Sequence, residues 1–583
     1  MKVFFQKFIS GLRHIWTLSK SLKHFNLSLV RKVFSLMSQK EKTILLLLTA
    51  VAITTLLWTV KNLYHAITLP APGFGGSFTE GFLGQPTYLN PVLAFSENDL
   101  SINRLIYSGL YKYDNQGNLT PDLAEGMPQI SEDQKQYTIK IKNNIFWHSG
   151  RKLTANDIIF TLLSIKDAET KSFLKPTWST TQVEKLDDFT VKFTTKEVSG
   201  PFLHNLTLPI LPKYNWSKIP ASAFASSELN LKAIGTGPYK ILEIKKLASG
   251  KIQSLTLQAY TKYHGGRAKI NHWIIKFYDQ PTDLVNALHS GDIQGFGYMP
   301  FSEDVKLEGN QDEISVLSLP VPQFQALFFN FKNPNLVDRK IRLALKALIS
   351  QTDIINSAWL KQAKPVNSLF NFYLNQPNPT SPLEPNSDLA KKYLESAGFK
   401  QDPTTQEWVK NNKPLEFKMF TNDFSPNSQT AEMLAQNFKN FGIKITLTIL
   451  PTKQLNENHI KPRNFDLLVY GQKLGADPDP FAFWHSSQKN YPGLNLSGFE
   501  DTEADKLLTA GHATTNQNLR QEKYAQLDEL FNEKISTVYL AQAQYLYVTN
   551  NNLKGLILNK LFEPSQKYFD IPNWYLSETR VLK

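Results

Sequence analysis

Residues 43–60, TILLLLTAVAITTLLWTV, form a run of eighteen without a single charge. In a helix rising about 1.5 Å per residue they span about 27 Å, the thickness of a bilayer's hydrocarbon core. A stretch this apolar either crosses a membrane or is removed as part of an export signal. Lys40 and Lys42 precede it and Lys61 follows it. Residues 1–42 hold nine Lys/Arg against one acid, Glu41, so they carry +8 of the chain's formal +13. That asymmetry predicts a cytoplasmic N-terminus and an extracytoplasmic remainder beyond Lys61. It also argues against nucleic acid as a partner, because little net charge is left for the rest of the chain.

A cleaved signal needs a short basic leader and a small-x-small site. The leader here is 42 residues long, and KNLYHAITLPAPG offers no such site. The expectation is therefore an uncleaved signal anchor at 43–60, followed by a linker at 61–76 that ends in LPAPGFGG. Residues 1–42 form a basic segment in which Phe5, Phe8, Leu12, Ile15 and Trp16 recur at three- and four-residue intervals. It reads equally as an amphipathic helix on the anionic inner leaflet or as a basic tail that fixes topology.

At 583 residues, the chain is too long for one core. Its 41% hydrophobic and 20% charged residues describe an ordinary globular protein, and most of its aromatics are expected in cores. There is no cysteine, which excludes disulfides, thiolate nucleophiles, Cys-ligated zinc and a lipid-bearing cysteine anchor.

From residue 77 the pattern alternates between strand and helix. YTIKIKNNIFW (137–147) alternates polar and apolar residues as a half-buried strand does. LTANDIIFTLLSI follows as a helix, with Thr154 as N-cap and Asp157 three places on completing a capping box. Between them lie His148 and a turn at Gly150. DDFTVKFTT (187–195) and GPYKILEIKK (237–246) read as strands, and DLVNALHSGDI (283–293) as a short helix stopping at Gly291. DRKIRLALKALISQTDIINSAW (338–359) reads as one long helical region, and NQPNPTSPLEPNS (375–387) as a proline-rich loop. SDLAKKYLESAGF is a helix ended by Gly398, and TAEMLAQNFKNFGIKITLTIL gives helix, glycine, strand. The class is α/β.

Chemistry is sparse. There is no phosphate-binding loop, no zinc-protease helix and no nucleophile elbow. GTGP (235–238) lacks the third glycine of a dinucleotide loop and reads as a turn feeding a strand. His148 has no second histidine or carboxylate at ligand spacing, so it reads as architecture. Asp477 and Asp479 in GADPDPF are posed like an acid–base pair, but Asp-Pro favours turns and no nucleophile accompanies them. No enzyme activity, cofactor or metal is expected.

Several blocks carry a resemblance: LIYSGLYKYD, NLTPDLAEGM, YTIKIKNNIFWHSGRKLTANDIIFTLLSI, DDFTVKFTTKEVSGPFL, AIGTGPYKI, LVNALHSGDI, FNFKNPNLVDRKIRLAL, AKKYLESAGF, LAQNFKNFGIKITL and FDLLVYGQKLGADPDPFAFW. In this order they resemble the family 5 extracellular solute-binding proteins of dipeptide and oligopeptide ABC transporters, over about residues 75–583. The resemblance implies a two-lobed, periplasmic-binding-protein-like α/β fold with a hinge and an enlarged first lobe, preceded here by one transmembrane helix. Lobe I would comprise 77–323 plus 544–583, with an inserted subregion at about 111–230. Lobe II would be 324–543.

By the same resemblance, one edge of the ligand cleft falls at Ala94, Phe95 and Ser96, and the other at Lys473, Leu474 and Gly475. Asp477 matches the acid that meets a peptide's α-ammonium, with a turn aspartate as the alternative. Leu474 replaces a usual aromatic, and Leu348-Ile349-Ser350 replaces an Ala-Ile-Asp ending. The implied function is capture of peptides by a monomeric ectodomain and delivery to ABC permease subunits. A membrane-anchored sensor, or a binder of a sugar, metal complex, haem or opine, remains an alternative on the same scaffold.

Overall fold

The computed structural model describes residues 34–298, 314–370, 372–373 and 381–583. The amphipathic pattern expected in residues 1–33 and part of the 375–387 loop lie outside them. The chain divides into two units, residues 1–71 with 578–583 and residues 72–577.

In the first unit the long helix α1 (Gln39–Ile67) begins at a capping box. Ser38 is the N-cap, and the Glu41 carboxylate accepts from its backbone N–H at 2.8 Å. No side chain of α1 is buried, and its best eighteen-residue window has a mean hydropathy of 2.2. Thr43, Thr49, Thr54, Thr55 and Thr59 each donate their hydroxyl to the carbonyl four residues back. Every hydroxyl inside the apolar run is thus satisfied within the helix, as lipid demands.

The expected linker at 61–76 is largely structured. KNLYHAI contains no helix breaker, so α1 continues through it to Ile67. Next comes strand β1 (Thr68–Pro72), which forms a two-stranded sheet with the last strand of the chain. Only residues 73–76 remain of the tether.

The second unit is built on an eleven-stranded sheet. In chain order its main elements are β2 (Ser77–Leu83), α2 (Glu97–Ile106), α3 (Ala155–Lys166), β3 (Tyr239–Lys246), β4 (Ile252–Ala259), β5 (His272–Tyr278), α4 (Pro281–His289) and β6 (Gly295–Tyr298). They are followed by β7 (Ile314–Phe329), α5 (Arg339–Lys346), β8 (Glu416–Asn422), α6 (Ser425–Asn440), β9 (Lys444–Leu450), β10 (Leu467–Lys473), α7 (Thr502–His512), α8 (Gln517–Lys534) and β11 (Thr537–Asn550). The closing strand of the first unit is β12 (Glu578–Leu582).

Two long strands, β7 and β11, pair antiparallel at the middle of the sheet. One arm extends from β11 through β6, β2, β5, β4 and β3, and the other from β7 through β10, β8 and β9. The β5–α4–β6 and β8–α6–β9 units supply parallel strands with helical crossovers, which makes both arms α/β as expected. A separate four-stranded sheet lies between residues 129 and 194.

The cores are aromatic. Trp147, Trp216, Trp273, Trp408, Trp484 and Trp574 are all fully buried, and Trp273 stacks on Phe78 at 4.6 Å. The long helix expected over 338–359 is broken. α5 ends at Lys346, Ser350 caps a new short turn at 351–353, and the Gln351 N–H bonds to Leu383 O at 2.9 Å. A serine at a helix start offers the backbone a competing partner, and here that partner wins.

The strand–turn–helix joint around His148 is architectural, as its lone position suggests. Gly150 makes the turn at φ +85°, and the Asp157 carboxylate accepts from Thr154 N–H at 2.9 Å. The His148 ring clasps the GTGP turn. Gly235 N–H donates to Nδ1 at 3.2 Å, so the proton sits on Nε2 and is donated to Gly237 O at 3.1 Å. Gly235 has to be glycine, because a Cβ there would lie 1.8 Å from Ile106 O.

Burial holds His148 down at about 4, so it stays neutral at physiological pH. The unfolded chain protonates it near pH ~6.5, and the native state refuses that proton. Stability therefore falls as pH drops from ~6.5 to about 4. His148→Gln should flatten that slope by one proton in denaturant titrations run across the window. His148→Ala strands the Gly235 donor and the Gly237 acceptor together, and should cost about 2 kcal/mol at neutral pH.

Candidate functional site

The first arm offers the loop ahead of α2. Its shape is imposed by two buried side chains. Asn90 Oδ1 accepts from Val92 N–H at 2.9 Å, and the Asp99 carboxylate accepts from the N–H groups of Thr87 and Tyr88 at 2.6 and 3.0 Å. Ser96 caps α2 by accepting from Asp99 N–H at 3.1 Å. Ala94 is thereby buried, whereas Phe95 is 53% exposed. The Phe95 ring packs 5.0 Å from that of Phe173, itself 68% exposed, so two aromatic faces are left open side by side. Ala94, Arg104, Trp178 and His204 line a cavity of about 750 Å³.

Glu97, the first residue of α2, completes this edge. Its carboxyl is held above the usual range, first by loss of solvation and against the pull of Lys567 and Lys473. The Tyr545 hydroxyl bonds to it, and Lys567 Nζ donates to that same hydroxyl at 2.8 Å. Lys567 is itself buried among the rings of Phe82, Tyr545, Tyr547 and Tyr568, with Glu80 Oε1 3.6 Å away.

The second arm offers the end of β10 and the turn after it. Lys473 is exposed and in register with Gln323 of β7. Leu474 is 2% exposed, packs into the apolar core of this arm, and gives its N–H to Pro322 O at 2.9 Å. The Gly475 carbonyl accepts from Tyr373 OH at 2.6 Å. Of this predicted edge, the Leu474 N–H and the Gly475 carbonyl are already committed, and the Lys473 side chain is open.

Asp477 is buried and doubly committed. Its carboxylate receives both Nη atoms of Arg520, a bidentate pair with the arginine only 1% exposed. It also accepts from the backbone N–H of Asp479 at 2.9 Å, and Asp479 in turn accepts from Phe481 N–H at 3.1 Å. These are the turn contacts that Asp-Pro sequences favour. Burial opposes the charge on Arg520, but the Asp477 pair outweighs it and leaves the guanidinium firmly protonated.

His204, from the first arm, brings the arms together. Its Nε2 lies 3.3 Å from Asp477 Oδ2, and its Nδ1 lies 2.7 Å from Tyr113 OH. Burial lowers its pKa more than Asp477 raises it, so the ring is neutral, donating to the carboxylate and accepting from the tyrosine. Two further contacts cross between the arms. Gly200 N–H donates to His512 O at 3.0 Å, and Thr515 Oγ donates to Gln134 Oε1 at 2.8 Å.

The structure thus sets Ala94 and Asp477 on either side of His204. Lys473 lines a second cavity, of about 570 Å³, with Gln323, Gln325, Trp359 and Tyr470, while its charge acts on Glu97 beside Ser96. Among the described residues no group of three His, Asp or Glu could hold a metal ion.

Sequence reasoning missed His204, Arg520 and the Glu97–Tyr545–Lys567 chain. Only Arg520 left a signal. Arg520, Tyr524, Leu527 and Phe531 are all buried and recur at helical spacing, which places a charge on the core stripe of α8.

Three comparisons bear on this geometry. The family model described as "Bacterial extracellular solute-binding proteins, family 5 Middle" matches residues 118–495. The oligopeptide-binding protein AppA of Bacillus subtilis is 26% identical over 521 residues, covering 87% of this chain and 93% of that protein. The solved structure of that AppA in complex with a nonapeptide aligns with a TM-score of 0.64, covering 87% of this chain and 100% of that one. NikZ from Campylobacter jejuni, solved in complex with Ni(L-His), aligns with a TM-score of 0.65 at 25% identity, covering 86% and 99%.

Proposed function

Because the chain belongs to the bacterial extracellular solute-binding proteins of family 5, we propose that it captures peptides between its two lobes and delivers them to the permease subunits of an ABC importer. Its likeness to an oligopeptide-binding protein over 521 residues carries the choice of peptide. The lobes are residues 77–323 with 544–583, and residues 324–543. In this reading the apolar run of α1 anchors the protein in the membrane with the basic N-terminus in the cytoplasm and one monomeric ectodomain outside.

The loop at Ala94, Phe95 and Ser96 and the strand end at Lys473, Leu474 and Gly475 flank the ligand. A buried peptide backbone must find donors and acceptors, and open side chains beside it set its preferences. The Arg520 pair and the His204 contact support a latch role for Asp477 in place of the α-ammonium partner. Arg520 neutralises it, and through His204 it holds the two lobes together. Glu97, bonded by the Tyr545 hydroxyl, is a carboxylate on the first lobe beside Ala94, Phe95 and Ser96.

The test is direct. The full chain is solubilised in mild detergent, purified quickly and denatured, and the released small molecules are identified by mass spectrometry. A ladder of short peptides is the expected result. A single non-peptide compound overturns the peptide reading and leaves the family untouched.

A further inference from the structure

We infer that the basic cavity at the end of β3, β4 and β5 is a site for a phosphate oxyanion, the phosphodiester of an anionic lipid headgroup, bound by Lys240, Lys262 and Arg267. This site lies outside peptide capture and shares with that reading only the membrane anchor. The cavity measures about 830 Å³. Its lining holds those three cations together with Gln258, Asn271 and His272, and it contains no Asp or Glu.

The sheet builds one wall. Lys240 of β3 pairs with Gln258 of β4, and Gln258 pairs with His272 of β5. A cation, an amide and an imidazole therefore stand in one row on one face. β5 runs parallel to β2, with His272 opposite Ser77. The row thus lies where β2 and β5 begin, whereas the loop at Ala94, Phe95 and Ser96 follows the other end of β2 at Leu83. The cavity and the proposed peptide cleft are at opposite ends of the strands.

Its cations are open. Lysines on the neighbouring backbone are neutralised locally, Lys245 by Glu243 at 3.7 Å and Lys251 by Asp279 at 2.8 Å. Lys240 and Lys262 make no ion pair or side-chain hydrogen bond among the described residues. Arg267 gives one Nη to Asn271 Oδ1 at 2.6 Å and keeps the rest of its donor fork. His148, also in the wall, spends both ring nitrogens on the GTGP turn. Three cations gathered around one cavity without a carboxylate repel one another, and an oxyanion relieves that repulsion.

The choice of a lipid comes from where the chain enters. The Arg267 guanidinium lies over the Phe74 ring, 5.3 Å from its centroid, and Gly75 N–H donates to Lys269 O at 2.8 Å. The segment arriving from the anchor is thereby fastened beside the cavity. Phe74 follows Ile67, the last residue of α1, by seven positions, and seven extended residues reach at most about 25 Å. Phe74 is 58% exposed. An open ring beside cations suits the boundary between acyl chains and headgroups.

The full chain in non-ionic detergent is titrated by calorimetry with three probes: dihexanoyl phosphatidylglycerol, dihexanoyl phosphatidylcholine and inorganic phosphate. The titrations are repeated on Lys240→Gln/Lys262→Gln/Arg267→Gln and on Lys245→Gln/Lys251→Gln, with thermal melting to show that each variant is folded. Any attraction to the basic residues 1–42 is common to all three proteins. The anionic lipid should bind the native protein and the Lys245/Lys251 variant alike, and the triple variant about tenfold more weakly. The zwitterionic lipid should not distinguish the three proteins.

Inorganic phosphate binding at least as tightly as the anionic lipid, and lost in the triple variant, keeps the anion site but overturns the lipid as its source. Equal affinity of the native protein and the triple variant for every probe overturns the site, as does the absence of any binding. Peptide capture stands in each case, because it is read from released peptides. Release of the full chain from membranes by alkaline carbonate would overturn the anchor, and the lipid source with it.

Discussion

Asp477→Ala should lower the stability of the ectodomain by about 3–5 kcal/mol. The replacement removes the partner of an arginine that is 1% exposed, leaving a guanidinium buried without a counter-charge. Among the described residues Arg520 would keep only the Gly511 carbonyl and the Tyr524 hydroxyl, at 3.1 Å each, and neither is charged. His204 would lose its acceptor across the lobes at the same time. Arg520→Ala should cost a similar amount, because it leaves the carboxylate unpaired instead.

The double variant Asp477→Leu/Arg520→Met should recover most of the loss, since two apolar side chains of similar volume carry no charge to bury. Denaturant unfolding followed by tryptophan fluorescence measures all three. If Asp477→Ala left the midpoint unchanged and abolished peptide retention, the aspartate would be a ligand group and the proposed latch would be wrong.

The second large effect lies on the other side of the cleft, in the core of the first lobe. Lys567→Met should cost about 3–5 kcal/mol at pH 7, because Glu80 is fully buried and its Oε1 has no hydrogen bond to fall back on. The sign of the pH dependence follows from Glu80. Burial holds its carboxyl above the usual range, against the opposing pull of Lys567, Tyr568 and Trp273. A carboxyl whose folded pKa is raised contributes stability that is fully present below its unfolded value of ~4.3, and loses it as pH climbs through the folded one. Without Lys567 the folded value rises further. The deficit of Lys567→Met should therefore be large at neutral pH and shrink toward pH ~4. Adding Glu80→Gln should remove most of it at pH 7. A deficit independent of pH would mean that the cost is lost packing among the surrounding rings.

Much of the local architecture could be read from the chain alone, because local signals have local causes. Gly150, Gly291 and Gly398 stand at positive φ where turns or helix stops were expected, and Thr154 with Asp157 starts α3 as a capping box does. Residue order and resemblance together also conveyed the α/β class and the two-lobed plan.

The unread parts depend on partners far away in sequence. Nothing near Asp477 announces Arg520, 43 residues on, and nothing near Val321 announces β11. The continuation of α1 to Ile67 was hidden by the prolines that follow, which suggested a loose tether. Pairing of β1 with β12 joins segments separated by most of the chain, and no short-range pattern could report it.

That pairing has a mechanical consequence. A protein hung from a membrane by a single flexible strand can spin about it and sweep a hemisphere. A sixteen-residue coil would let its cargo end range roughly 20–25 Å. Here the chain crosses between its two units twice, once near Pro72 and once near Ser577. Arg580 bonds Thr68 through both Nε and Nη2, and Lys583 N–H reaches Ile67 O at 2.9 Å. Residues 68–72 are therefore held in a two-stranded sheet and lack the freedom of the coil expected there.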